Sequence, residues 1–185
     1  PKEKPFCFWL GTSEPHRGFE SGAGKRTGKD PSRVIVPPIF PDNDIVRNDL
    51  LDYLVEIEHF DSQVSRAIAL LEKSGQLDNT IIVVTSDHGM PFPRAKASLY
   101  DDGSRVPLAI RWPKGITKPG RTINDFINLS DLAPTFLKAA GLKPPSMMTA
   151  KSLIPIFENR LSKNHKAAFI AMERHDGCRK GGKGY

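Results

Sequence analysis

Ile81-Ile82-Val83-Val84-Thr85-Ser86 is the stretch that most restricts the fold of this chain. Four consecutive β-branched apolar residues crowd a helix but pack well on a pleated surface. A short unbroken apolar run, rather than an alternating one, is the pattern of a strand covered on both faces. Asp87-His88-Gly89 follows at once, then Pro91 and Pro93 close the door to a helix, and Arg94 and Lys96 bring two cations. A carboxylate and an imidazole thus stand where a buried strand ends. In open α/β sheets that is where ligands bind, because loops converge there on a rigid support.

The surrounding pattern supports the same class. Leu50, Leu54, Ile57, Val64, Ile68 and Leu71 recur at helical spacing, interrupted by Asp61, and predict one long amphipathic helix from Ile45 to a glycine stop at Gly75. Asp61 lies on that stripe, so it is expected to hydrogen-bond a neighbouring element. A second strand is expected in "VPLAIRWP", a short helix in "DLAPTFLKAA" up to Gly141, and a last strand in "KAAFIAME". "FCFWL", Phe6–Leu10, reads as a first strand, with Cys7 a small buried residue and Trp9 packed on the sheet. Strands alternating with helices predict an α/β fold with a mainly parallel sheet sandwiched by helices. The Gly-rich segment between Gly11 and Arg33 is long for a loop in a compact domain, and such loops are functional or disordered.

Composition excludes several classes. The 185 residues are 38% hydrophobic and 26% charged, a globular balance rather than a disordered one. The net charge of +6 is spread along the chain without a block of like charges, so nucleic acid is not an expected partner. No apolar run approaches the roughly 20 residues of a membrane span. Cys7 and Cys178 are too few for a disulfide framework or a zinc pattern. Oligomeric state is not legible. The abrupt start and the "GGKGY" end read as those of a piece of a longer protein.

Asp87 offers a hard oxygen ligand, His88 a metal-binding nitrogen or a proton, and Lys96 a flexible cation suited to a tetrahedral anion. Equally, an Asp-His pair after a strand can simply cap the next element. His59 and His165 read as surface or packing residues.

The string "TSDHGMPFPRAKASLYDDGSRVPLAIRWP", together with "EPHRGFE" upstream and "DLAPTFLKAAGL" downstream, resembles the later half of a sulfatase catalytic domain of the alkaline-phosphatase-like superfamily. P-H-R combined with S-D-x-G-x-P-F-P is most similar to the heparan N-sulfatase (sulfamidase) branch. The resemblance implies an alkaline-phosphatase-like fold, incomplete here, with residues 1–185 forming the C-terminal portion of the catalytic domain. It also implies hydrolysis of a sulfate ester or sulfamate on sulfated sugars, as of glycosaminoglycans, and export to the periplasm, outside or the lysosome. Asp87 then matches an aspartate that binds a divalent cation, usually Ca2+, and His88 stands where many members have asparagine. His16 matches a histidine that contacts the sulfate and protonates the leaving group. Lys96 matches a basic residue that holds a sulfate oxygen, a role the sulfamidase branch gives to arginine. His175 and Arg179, with Arg174, fall where substrate is read.

One departure is plain. The family nucleophile is a Cys or Ser in C/S-x-P-x-R, converted to formylglycine; only "KDPSR" has that spacing, with Lys29 in the nucleophile position, and lysine cannot become formylglycine. This chain alone is therefore expected to be inactive. A phosphonate or phosphodiester hydrolase of the same superfamily, or a degenerate domain that only binds sulfated glycans, stays open.

Overall fold

The computed structural model describes residues 4–160 and 166–172. Its contacts divide the chain into two compact units, one of Pro1–Leu71 with Met90–Arg94, the other of Glu72–Gly89 with Ala95–Tyr185. In chain order the elements are α1 (Ala23–Arg26), α2 (Asp44–Lys73), β1 (Ile82–Thr85), α3 (Asp101–Ser104), β2 (Leu108–Arg111), α4 (Leu132–Ala139) and α5 (Ile154–Phe157). Among the described residues no helix is long and apolar enough to cross a membrane.

The first unit is organised on α2. The predicted helix is there, and Gly75 follows it at φ 71°, where its N–H bonds the Glu72 carbonyl at 2.9 Å. Leu50 and Leu51 are buried, while Leu54 and Leu70 remain exposed. Against this face lie Phe19, Phe40 and Phe92, which meet Tyr53 and one another edge-on or tilted with ring centroids 5.5–6.3 Å apart. Such packing pushes the Tyr53 phenol above the ordinary tyrosine range through burial. Arg47 ties the preceding segment down: it forks onto Asp42, at 2.5 and 2.8 Å, and reaches the Pro31 carbonyl at 2.8 Å. The guanidinium holds the Asp42 carboxyl below the usual carboxylate range. "KDPSR" is a tight turn over Pro31–Arg33 capped by Asp30, with Lys29 paired to Glu58 at 2.5 Å; it is scaffolding, as its wrong chemistry implied.

The buried carboxylate of α2 is Asp52, not Asp61. Asp61 is exposed, whereas Asp52 is 4% exposed and accepts from the Gly22 and Gly24 amides, each at 2.8 Å. One turn of the glycine-rich segment therefore hangs on a single side chain, because α1 is too short to satisfy its own first N–H groups.

In the second unit β1 and β2 pair antiparallel, in the register Ile82 with Arg111, Val83 with Ile110, Val84 with Ala109 and Thr85 with Leu108. The α/β class holds, but among the described residues the sheet has two strands and no parallel pair. The physical reason lies in the connection: a parallel return needs a crossover, usually helical, and the chain between Thr85 and Leu108 holds only the four-residue α3. β1 is half-buried rather than fully covered. Phe6–Leu10 and the described part of "KAAFIAME" form no strand. Phe8 and Trp9 are 75% and 87% exposed and Cys7 is exposed too, since an extended apolar segment becomes a strand only when another strand takes up its backbone groups. Trp112 does pack, edge-on to Phe157 at 6.0 Å, over a core of Leu153, Ile156 and Phe157. Asp131 and Thr135 pin α4 to this core: Asp131 accepts from the Asn128 and Lys151 amides, and the Thr135 hydroxyl accepts from the Leu153 amide.

Two outcomes follow. Asp52→Ala strips two buried amides of a charged acceptor and is expected to cost roughly 2–4 kcal/mol in urea denaturation, with Asp52→Asn between the two. Because the folded Tyr53 value is raised, its contribution is intact below the ordinary tyrosine pKa and is lost as pH rises through the folded one. An absorbance titration near 295 nm should show one late-ionising tyrosine, missing in Tyr53→Phe.

Candidate active site

β1 delivers Asp87 and His88 two and three residues past its end, and the turn that receives them is built from side-chain to backbone bonds. The Thr85 hydroxyl donates to the Pro107 carbonyl at 2.8 Å, and the Ser86 hydroxyl to the His88 carbonyl at 2.7 Å. Gly89 N–H then bonds the Gly103 carbonyl at 2.9 Å. At this point two backbones run so close that a Cβ on Gly89 would lie 1.7 Å from the Asp102 carbonyl oxygen. A Cβ on Gly103 would lie 2.2 Å from the Ala95 carbonyl oxygen, and Ala95 itself is fully buried. Two glycines and an alanine are thus the only fillers that let the stretch from Asp87 to Gly103 close on itself.

Within that frame the Asp87 carboxylate is 86% exposed and the His88 ring 34% exposed, with His88 Nε2 3.7 Å from Asp87 Oδ2. His88 Nδ1 lies 2.7 Å from the Gly89 carbonyl, which can only accept, so Nδ1 carries a proton and Nε2 is the nitrogen left facing the carboxylate. The carboxylate oxygen and the imidazole nitrogen lie 3.7 Å apart, and both are donors that a divalent cation takes. The donor set therefore fits a shared divalent cation. Two ligands do not complete a site, and among the described residues no three His, Cys, Asp or Glu form one. The capping alternative fails: no helix begins after Asp87 until α3 at Asp101.

Lys96 belongs to the same unit, half-buried, and its neighbours Arg94 and Ala97 hold φ of 63° and 58°. Left-handed backbone at two non-glycine residues is unfavourable, and such strain clusters where a loop must hold a side chain in place for function. Asp87 and His88 line an open groove of about 1760 Å³, shared with Ser98, Asp101, Arg105 and Lys118.

His16 belongs to the other unit, exposed beside a hollow of about 540 Å³. Its amide bonds the Ser13 carbonyl and its Nδ1 the Arg17 carbonyl, both at 2.8 Å, which leaves Nε2 facing outward from that turn. His59 is exposed on α2. His175, Arg179, Arg174, His165 and Cys178 lie outside the described residues. Sequence reasoning missed Gly103 and Asp49, the partner of Arg17; the only sign of the latter was the arginine of "EPHRGFE".

A carboxylate and an imidazole thus meet just past the end of β1, two donors of the kind a divalent cation takes. The sulfatase family model matches residues 1–142. Human N-sulphoglucosamine sulphohydrolase is 27% identical over 186 residues, covering 84% of this chain and 37% of its own length. A protein solved in complex with its substrate D-glucosamine-2-N,6-O-disulfate is 30% identical with a TM-score of 0.54, covering 78% of this chain and 29% of its own. A phosphonate monoester hydrolase from Silicibacter pomeroyi is 27% identical with a TM-score of 0.57, covering 77% and 29%. The chain belongs to the sulfatase family, a family of hydrolases. It spans between 20% and 37% of the length of the first curated relatives it matches.

Gly89→Ala should cost roughly 1–3 kcal/mol or more, because the Asp102 carbonyl it strikes is backbone and cannot swing away. Asp87→Ala, at an exposed carboxylate, should leave the melting temperature unchanged. Calorimetric melts of the two variants, read side by side, check both.

Proposed function

We propose that the protein containing these residues is a sulfatase that hydrolyses a sulfate ester or sulfamate on a sulfated sugar of the glycosaminoglycan kind. The observation that carries the reading is the 3.7 Å pairing of His88 Nε2 with Asp87 Oδ2 at the end of β1, inside the stretch that matches the family. The names of the human relative and the sugar disulfate bound in the solved neighbour support the substrate class.

In this reading the 185 residues are the later part of the catalytic domain, whose whole sheet is mainly parallel and flanked by helices. Asp87 and His88 hold one side of a divalent cation; the carboxylate suits Ca2+, while the imidazole widens the choice towards transition ions. When bound, the cation withdraws charge from the sulfate oxygens, and a formylglycine from elsewhere in the protein supplies the attacking oxygen. Lys96 neutralises a further sulfate oxygen with its ammonium group. His16, whose Nδ1–H is held by the Arg17 carbonyl, carries a second proton on Nε2 as the imidazolium, gives it to the departing sugar oxygen or nitrogen as the bond to sulfur breaks, and is left as the neutral ring. His175 and Arg179 read the sugar. A protein of this kind works outside the cytoplasm, where sulfated polymers lie.

The solved phosphonate monoester hydrolase sustains a second reading, phosphoryl rather than sulfuryl transfer on the same residues. Steady-state assays of the full-length protein decide. N-sulfated or O-sulfated glucosamine should be turned over with a higher kcat/KM than a phosphonate monoester, chelator should abolish turnover, and Asp87→Ala should lower it at least about 100-fold. A preference for the phosphonate would replace the first reading by the second, and no turnover of either would favour a glycan-binding domain. The 185 residues by themselves should release no sulfate with any added metal.

A further inference from the structure

Arg17 directly follows the histidine assigned above as proton donor, and its guanidinium is held on every side. Nη1 and Nη2 fork onto the two carboxylate oxygens of Asp49 on α2, both at 2.7 Å. Nε donates to the Pro91 carbonyl at 3.2 Å. The guanidinium carbon lies 4.7 Å from the ring centres of both Phe19 and Phe92. Phe92 is itself buried, wedged against Tyr53 at 5.5 Å and Phe40 at 5.7 Å, so the surface on which Arg17 lies is rigid. Beside His16, a basic residue could be a sulfate ligand. Asp49 argues otherwise: a fork-to-fork pair uses the two donors and the charge that a sulfate would need.

We propose that Arg17 and Asp49 are positioning residues for the imidazole of His16. The mechanical path is one residue long. Fixing the guanidinium fixes the Arg17 backbone, and the Arg17 carbonyl is the group that accepts from His16 Nδ1 at 2.8 Å, setting both ring orientation and tautomer. Stability is a poor explanation for so complete a clamp. The side chains of the pair are 44% and 34% exposed, and ion pairs as exposed as this add little to folding free energy. Orientation is what a planar, bidentate and stacked guanidinium supplies and a lysine does not.

The inference rests on the role given to His16, and leaving-group chemistry separates the two. A sugar alcohol or amine must be protonated as it departs, whereas a nitrophenolate leaves unaided. In the full-length protein carrying formylglycine, kcat and KM are measured for a sulfated glucosamine and for nitrophenyl sulfate. His16→Ala should lose turnover selectively on the sugar. Arg17→Lys and Asp49→Asn should lose about 10- to 100-fold in kcat on the sugar, as a misplaced catalytic group does, with the aryl sulfate changed less than about threefold and melting temperatures kept. Arg17→Lys is the informative variant if a larger change disturbs folding, since it keeps the charge. If Arg17→Lys instead raises KM for both substrates, Arg17 binds sulfate and the proposal is wrong. It is equally overturned if His16→Ala is selective while Arg17→Lys and Asp49→Asn lose both substrates alike or neither. An unselective His16→Ala would remove the role of His16, and the positioning of it with that role.

Discussion

At Gly89 two stretches of backbone pass with no space for a side chain, and what is specific about the Asp87 loop follows from that contact. The Gly89 amide donates to Gly103 while the Asp102 carbonyl lies where a Cβ would be, and Gly103 in turn lies against the Ala95 carbonyl. A loop closed this way has its ends set by covalent geometry and one hydrogen bond rather than by adaptable side chains. That leaves the Asp87 carboxylate, 86% exposed, free of structural duty, while the His88 ring keeps Nδ1 on the Gly89 carbonyl of the same turn. An exposed carboxylate of this kind can be desolvated by a ligand instead of by its own protein. The left-handed φ at Arg94 and Ala97 belongs to the same economy: the loop must return to Ala95 and Gly103, and the backbone around Lys96 absorbs the turn.

Carboxylates in this chain divide into two populations by what they face. Asp52 and Asp131 are nearly inaccessible, and each accepts two backbone amides that have no partner in regular structure. Asp49 and Asp42 face arginines, and the pairs lash irregular segments to α2 or to the chain that leads into it. Asp87 faces neither. In a protein with so much irregular backbone, acidic side chains do the work that sheet ladders do elsewhere, so an aspartate without an amide or a guanidinium is a better functional marker than an aspartate as such.

What was legible in the sequence was whatever depends on local pattern. The helix expected from Ile45 to Gly75 is α2, the apolar run before Asp87 is β1, "VPLAIRWP" contains β2, and "DLAPTFLKAA" contains α4, because each periodicity is a property of the segment itself. Asp87 and His88 meeting at a strand end was legible for the same reason. Strand direction was not, since an apolar run says which side chains are covered and nothing of which way a partner runs. Phe6–Leu10 shows the limit most clearly: its composition is that of a strand, yet Phe8 and Trp9 stand exposed and no neighbour takes its amides into a ladder. Asp61 and Asp52 were exchanged because they lie nine positions apart on one helix, and only the place where the glycine-rich segment returns decides which is covered.

The two histidines carry the same local device to different ends. Each donates Nδ1–H to a carbonyl within one residue of itself, Arg17 for His16 and Gly89 for His88, and each is thereby left with Nε2 as the working nitrogen. For His88 the adjacent carboxylate makes that nitrogen one of a pair of electron donors, a setting that favours a cation over a proton transferred to substrate. For His16 the carbonyl belongs to a residue clamped by Asp49, Pro91 and two rings. The same bond from Nδ1 to a carbonyl therefore leaves Nε2 beside a carboxylate at His88, and at His16 it rests on a residue fixed by an ion pair and two aromatic rings.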